Sequence, residues 1–228
     1  MTPGKFITFE GGEGSGKSTQ ARLLAERLRG LGHDVVVTRE PGGTPFAEQV
    51  RQLLLAPDTA PHGPVSEALM FYAARADHLE KVIRPALAAG RWVICDRFSD
   101  STDVYQSHAG GLDRAMFDML EHAIVAATRP SLTLVIDIDA RLGQERATAR
   151  RGSASRGSDS AAADAYERRD IVYHETLRRG FLAIAEAEPQ RCLVIDGAKP
   201  IDNVAAAVWA GVSERFGADT GAAAPRTD

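Results

Sequence analysis

Phe6-Ile7-Thr8-Phe9-Glu10-Gly11-Gly12-Glu13-Gly14-Ser15-Gly16-Lys17-Ser18-Thr19 runs from an apolar strand through a glycine-rich turn into a helix. Gly11, Gly16, Lys17 and Ser18 satisfy G-x-x-x-x-G-K-[ST], in the strand–turn–helix context that this phosphate-binding motif needs. The glycines let the backbone fold back, so that the N–H groups from Gly11 through Gly12, Glu13, Gly14, Ser15 and Gly16 converge on a phosphate. The N-terminus of the following helix adds partial positive charge. Lys17 is expected to reach the β- and γ-phosphates, and the Ser18 hydroxyl to sit on Mg²⁺. The loop points to a nucleoside triphosphate and leaves the reaction open.

Outward from the loop, apolar strands alternate with longer amphipathic stretches. Strands read at Phe6–Glu10, Asp34–Thr38, Trp92–Asp96, Leu132–Asp137 and Cys192–Asp196. Most are continuous Val/Ile-rich runs, as expected for strands covered on both faces. Helical patterns occupy Ser18–Leu31, Pro45–Leu55, Val65–Ala89, Arg114–Ala127, Ala140–Arg150, Glu167–Glu186 and Ile201–Phe216. The alternation predicts an α/β fold of the P-loop NTPase type: a three-layer sandwich whose five-stranded parallel sheet is flanked by helices. Ligands then bind at the carboxyl ends of the strands. Residues 1–216 are expected to form one domain. The small, polar, low-complexity stretch at about 150–165 predicts a mobile lid, and the Ala/Gly/Pro-rich residues 217–228 a disordered tail.

Composition narrows the function. A chain of 228 residues with net charge −4 is long enough for a substantial core and is no general polyanion binder, so no nucleic-acid partner is expected. No apolar run approaches the ~18 residues of a membrane span, and Lys5 precedes a strand rather than a leader's apolar region. A cytoplasmic protein without membrane contact follows. Only four of the 27 basic residues are lysine; the arginine fork matches phosphate geometry, but a compositional bias explains the total equally well, so position decides which arginines matter. Cys95 and Cys192 sit in apolar runs outside any Cys/His cluster and read as buried free thiols, not as a zinc site.

At the end of the third strand, Asp96-Arg97 places a carboxylate and a guanidinium beside the phosphate loop. Asp96 is a candidate for Mg²⁺ or its water shell, with capping of the next turn as the alternative; Arg97 is a candidate for transferring phosphate oxygens. The run from Asp96 to Gln106 mixes acids, hydroxyls, an aromatic ring and an amide, which suits a nucleoside monophosphate better than a core. In the long helix Phe71 and Arg75 stand four apart and share a face. A ring with an arginine one turn away can stack a base, although a core helix presents the same spacing.

Four blocks occur in order: Glu-Gly-x-Glu-Gly-x-Gly-Lys-Ser, Thr-Arg-Glu-Pro-Gly-Gly-Thr, Leu-Met-Phe-Tyr-Ala-Ala-Arg and Asp-Arg-Phe-x-x-Ser-x-x-x-Tyr-Gln. Together they resemble the bacterial thymidylate kinases from about Lys5 to about Phe216. The resemblance implies an ATP- and Mg²⁺-dependent transfer to dTMP by a homodimer. It implies that Glu13 lies near the acceptor phosphate and metal. Arg51 and Arg97 would lie near phosphate and Arg75 beside the base. Phe71 would stack on thymine, Thr102 and Gln106 would address the base, and Tyr105 would stand beside the deoxyribose. Asp164, Tyr166 and Glu167 would end the lid.

Two departures stand out. Phe98 replaces a Tyr or His with little expected effect, and Ala165 stands where many members carry Arg. One branch of the family also carries an Arg inside the phosphate loop, where this chain has Gly14. The catalytic cations are then expected on the lid: Arg150 or Arg156 at the γ-phosphate, with Arg151 and Arg146 nearby. A purine monophosphate kinase and a nucleoside kinase are the rival enzymes. A regulatory GTPase would want Asn-Lys-x-Asp, and no such tetrapeptide occurs.

Overall fold

The computed structural model describes residues 4–56, 59–153 and 166–220. Five parallel strands, β1 (Phe6–Glu10), β2 (Val35–Arg39), β3 (Trp92–Asp96), β4 (Leu132–Asp137) and β5 (Cys192–Asp196), form one sheet in the order β2-β3-β1-β4-β5. Register pairs Phe6 with Val93, Ile7 with Leu132, Val35 with Trp92 and Thr133 with Cys192. Every residue of β1 is buried, as its central place requires. The predicted α/β architecture therefore holds, with β2 shifted by one residue.

Side chains alternate across the sheet. Ile7 and Phe9 pack with Leu24 and Leu28 of α1 (Lys17–Gly30) and with Val204, Val208 and Val212 of α9 (Ile201–Phe216). On the opposite face Phe6 meets Tyr72, Val93, Phe98 and Phe117, from α3 (Pro64–His78), β3, its following loop and α6 (Arg114–Leu120). That face also explains a polar residue, Thr8, inside the apolar run of β1. The Thr8 hydroxyl bonds the Thr133 hydroxyl at 2.8 Å; Thr133 in turn takes a bond from Arg191, and Arg191 grips Asp100 through both guanidinium ends at 2.7 and 2.8 Å. Removing one partner of so buried a pair costs about 3–5 kcal/mol.

Helix α2 (Pro45–Leu55) starts where expected, with the Thr44 hydroxyl accepting from the Ala47 N–H. The expected long helix at 65–89 divides: α3, a π-helical stretch Leu79–Ile83, then α4 (Arg84–Ala88). Pro85 has no N–H to give to Lys81, which explains the widened turn just before it. A second π-helical stretch, Asp103–His108, continues α5 (Ser99–Thr102), a helix the sequence pattern did not suggest. A third, Glu121–Val125, follows α6.

The helices on either side of the expected loop at 150–165 also differ from the sequence reading. Helix α7 (Ala140–Ser153) runs three residues beyond the expected end, so Arg150 and Arg151 are helical rather than part of a loop. Helix α8 (Ile171–Ala187) starts four residues later than expected, capped by Asp170. Tyr166 and Glu167 thus lie in the turn before it. At the far end a 3₁₀ turn, Gly217–Thr220, buries Thr220 and carries the described fold four residues past the expected boundary at 216. No helix among the described residues is long and apolar enough to cross a membrane. Both cysteines are free and buried.

Candidate active site

The phosphate loop leaves the carboxyl end of β1 and closes on α7. Gly14 has φ 67°, and a Cβ there would overlap the Gly143 carbonyl; a Cβ on Gly143 would overlap the Glu13 carbonyl. Two backbones meet here with no side chain between them. An arginine at position 14 therefore has no room in this chain, which accounts for the glycine. Gly143→Ala should lower stability by about 1–3 kcal/mol and displace the loop. Thermal melts with and without an ATP analogue check this.

Lys17 donates to the Gly12 carbonyl at 2.7 Å and to the Ser15 hydroxyl at 3.3 Å. Burial and then the Arg97 cation push its ammonium down to about 8, against the opposing pull of Glu13, Asp96 and Glu10. The Ser18 hydroxyl donates to the Asp96 carboxylate in a short bond, so the two expected metal ligands do meet. Asp96 is thus engaged with the phosphate loop.

Arg97 follows Asp96 with a left-handed backbone, φ 67°, a conformation costly outside glycine and found where function demands it. Its guanidinium bonds the Gly11 carbonyl at 3.2 Å and the Ser101 hydroxyl at 3.1 Å, closes on Glu13, and lies 5.2 Å from the Tyr105 ring centre. Behind it the buried Glu10 carboxyl accepts from the Phe98 N–H at 2.7 Å and the Ser101 hydroxyl at 2.6 Å. Burial, then Asp100, push Glu10 up to about 8 despite Arg97 and those two bonds. Glu13 goes the other way. Burial would raise it, but Arg97, then Lys17 and Arg150, hold it at about 2, with the Tyr105 hydroxyl donating from 3.3 Å.

Arg75 is 2% exposed, its guanidinium between the rings of Tyr72 and Phe98 at 4.6 and 5.1 Å. Its Nε donates to Glu40 at 2.8 Å and its Nη2 to the Thr102 hydroxyl at 3.0 Å. The second Glu40 oxygen takes His78 Nδ1 at 3.0 Å, and His78 Nε2 meets the Thr38 hydroxyl at 2.7 Å. Arg75 Nη1 is buried and has no hydrogen-bond partner among the described residues. The same is true of Gln106 Oε1, whose Nε2 is held by Glu67 at 2.9 Å. Thr102, Tyr105 and Gln106 share one face of α5 and its π-helical continuation, at i, i+3 and i+4.

These side chains line one cleft of about 450 Å³ at the carboxyl end of the sheet, an ordinary size for a small-molecule site. It gathers Glu13, Gly16, Lys17, Ser18, Arg51, Phe71, Arg75, Asp96, Arg97, Thr102, Tyr105, Gln106, Arg150, Tyr166 and Glu167. Gly11, Gly12, Gly14 and Ser15 form the loop beneath. Arg51 donates to the Pro41 carbonyl at 2.9 Å, and the Phe71 ring faces Tyr166 at 6.5 Å between centres. Arg150 and Arg151 both pair with Glu167, at 3.3 and 2.6 Å. Arg146 instead ties α7 to the Gly197 and Ala198 carbonyls, away from the cleft. Arg156, Asp164 and Ala165 lie outside the described residues.

The cleft also holds residues to which sequence reasoning gave no role: Arg39, Glu40, Leu55, Phe98 and Ser101. Arg39 and Glu40 stand near the start of the second block, at the carboxyl end of β2, where α/β sheets bind ligands; that position was the available signal. Phe98 is fully buried edge-on against Phe6 at 5.0 Å, so a polar tip there would have entered the core.

Comparison with known proteins agrees with this geometry. The thymidylate kinase family model matches residues 9–208. The chain is 49% identical to the thymidylate kinase of Caulobacter vibrioides, over 95% of this chain and all of that one. It is 48% identical to that of Nitrobacter winogradskyi, over 93% of this chain and 89% of the relative. The crystal structure of thymidylate kinase from Ehrlichia chaffeensis superposes with a TM-score of 0.71 at 36% identity, covering 92% of this chain and 99% of the other. A phosphate loop closed on α7, Arg97 locked between loop and carboxylate, and this likeness along nearly the whole length have one reading: the chain belongs to the thymidylate kinase family.

Proposed function

We propose that the chain transfers the γ-phosphoryl group of ATP to dTMP, giving dTDP, with Mg²⁺. The observation that carries the substrate is a pair of orphaned polar atoms on two side chains of the cleft that Phe71 also lines. Arg75 Nη1 is a donor and Gln106 Oε1 an acceptor, both buried and both on side chains of the cleft. Thymine offers the complement on one edge, an acceptor at O4 and a donor at N3, while its face stacks on an aromatic ring. Buried polar atoms left unpaired cost about 1–3 kcal/mol each, so this edge is strongly selected.

The reaction brings two polyanions together, so positioning and neutralisation do most of the work. The acceptor needs no general base, because a phosphate monoester with a second pKa of about 6 is already nucleophilic at neutral pH. Lys17 and the loop N–H groups hold the donor phosphates, and Arg97 sits where transferring oxygens would lie. Arg51 is placed for the acceptor phosphate and Tyr105 for the deoxyribose. Glu13, ionised through Arg97, anchors that guanidinium on the acceptor side. Arg150 supplies charge from α7, and the roles expected of Arg156 and Asp164 fall on residues outside those described.

Ser18 and Asp96 are hard oxygen donors side by side, and no group of three or more His, Cys, Asp or Glu suited to a metal occurs among the described residues. Two protein oxygens, with phosphates and water completing the shell, is a Mg²⁺ arrangement. When bound, that ion neutralises phosphate charge. The family resemblance further implies a cytoplasmic homodimer; Phe46, Leu53, Val65, Leu69 and Met119 on α2, α3 and α6 are exposed apolar residues open to such a contact.

A coupled assay of ADP release with dTMP, dUMP, AMP, GMP and thymidine as acceptors tests the reading. dTMP should give the highest kcat/KM, with thymidine inactive. Preference for a purine monophosphate would overturn it.

A further inference from the structure

Every fourth residue of α3 reaches the base end of the cleft: Phe71 and Arg75 line it, and Glu67, one turn earlier, touches its amide. We propose that Glu67 is the residue that sets which edge of a pyrimidine is accepted, by fixing the orientation of the Gln106 amide. This rests on the base-edge reading given above.

The argument begins with what a carboxylate can do. It accepts hydrogen bonds and donates none, whereas a glutamine amide carries a donor end and an acceptor end on nearly identical arms. With Glu67 Oε2 2.9 Å from the amide, the near end must be the NH₂ group. The carbonyl Oε1 is then forced to the far side, buried and without a hydrogen-bond partner among the described residues. Gln106 on its own would present either end. Beside Glu67 it presents only the acceptor.

Glu67 is itself held in place. His62 Nε2 approaches its other oxygen at 3.6 Å, while His62 Nδ1 is engaged by the Ala60 carbonyl at 3.0 Å. Tyr166 also faces it: burial and then the Glu67 carboxylate push that phenol upward. The carboxylate therefore joins the loop before α3, the helix, the π-helical stretch and the turn before α8. Arg75 has a parallel anchor, because Glu40 and Thr102 occupy its Nε and Nη2 and leave Nη1 as the donor. One glutamate aims the donor and the other selects the acceptor.

The consequence is chemical selectivity. A 4-oxo pyrimidine has an N3–H that the Gln106 carbonyl accepts. A 4-amino pyrimidine has a bare N3 that the same carbonyl repels. Replacing the Glu67 carboxylate by an amide removes the constraint, because an amide can accept or donate and Gln106 can then turn over. Glu67 is a positioning residue here, acting through Gln106.

The test compares dTMP with 5-methyl-dCMP as acceptors for the wild-type enzyme, Glu67→Gln, Glu67→Met and Gln106→Leu. Both Glu67 variants should raise the dTMP KM about tenfold with kcat little changed, as loss of one uniform binding contact requires. The preference for dTMP over 5-methyl-dCMP should narrow by a similar factor in Glu67→Gln, with the KM for ATP unaltered. A merely structural glutamate would weaken both acceptors alike and leave their ratio intact; that result overturns the inference. The base-edge reading is tested separately by Gln106→Leu. If that change leaves the dTMP KM alone, the edge reading itself fails. If it raises KM while Glu67→Gln keeps KM and ratio within twofold, only the role of Glu67 is lost.

Discussion

Arg97→Ala should lower kcat by about 10³ or more, within the range an arginine at transferring phosphate oxygens supplies. No neighbouring cation can take over its position. The guanidinium touches the phosphate loop at Gly11, the helix after β3 at Ser101 and the acceptor-side carboxylate Glu13, while resting near the Tyr105 ring. It is aimed by a backbone held at φ 67°, which the Glu10 carboxyl secures through the next residue's N–H. Arg97→Lys should recover only part of the activity, because one ammonium on a flexible stem cannot hold three partners in a fixed plane. The Arg97→Ala enzyme should also be less stable at neutral pH and lose less of its stability on acidification. In the intact protein Glu13 falls from 4.5 to about 2 on folding, so its contribution to stability is complete above about pH 5 and is lost as pH falls toward 2. Without Arg97 the depression shrinks, so the loss still begins near pH 5 but is smaller and is complete at a higher pH. A kcat within tenfold of wild type, in a variant that still binds ATP, would remove Arg97 from the chemistry.

The parts that could be read from sequence were those encoded locally. β1, β3, β4 and β5 came out with their observed ends because each is a continuous apolar run closed by an acid, and α2 because Thr44-Pro45 marks its start. Helix α5 and the π-helical stretch after it were missed. Asp100, Thr102, Asp103 and Gln106 are buried there, so a segment that looks polar in sequence is interior in the fold, paired with charges far away. Asp100 meets Arg191 and Arg75 meets Glu40 across 91 and 35 residues. No spacing rule predicts such partners. Arg75 and Phe71 were offered as base contacts by their helical spacing and by resemblance; the orphaned Nη1 adds a physical argument for Arg75. Gly14 drew notice for lacking a charge, and the explanation lies on α7, a distant element whose backbone occupies the space. The same helix extends through residues 150–153, which the sequence pattern had assigned to a loop.

That correction sharpens the second large effect. Arg150→Ala should reduce kcat by about 10²–10³, below the strongest arginine-finger values because Lys17 and Arg97 stay in the cleft. Arg150 stands in the last turn of α7 and lines the cleft, and it helps to hold Glu13 ionised. A rigid helix delivers it, so its approach to the donor phosphates depends on the α7 backbone that Gly143 presses against the loop. Its bond to Glu167, at 3.3 Å with the arginine side chain 55% exposed, is worth little in stability. Thermal melting should consequently barely change while turnover collapses. Arg151 provides the contrast: its bond to Glu167 is shorter, at 2.6 Å, yet it does not line the cleft. Arg151→Ala should cost less than tenfold in kcat, mainly by loosening Glu167. If instead Arg150→Ala keeps turnover within about threefold, the charge that Gly14 cannot provide must come from Arg156. Should Arg156→Ala be equally mild, the neutralisation rests on Lys17 and Arg97 alone, and the double variant with Arg97→Lys would then be no worse than Arg97→Lys by itself.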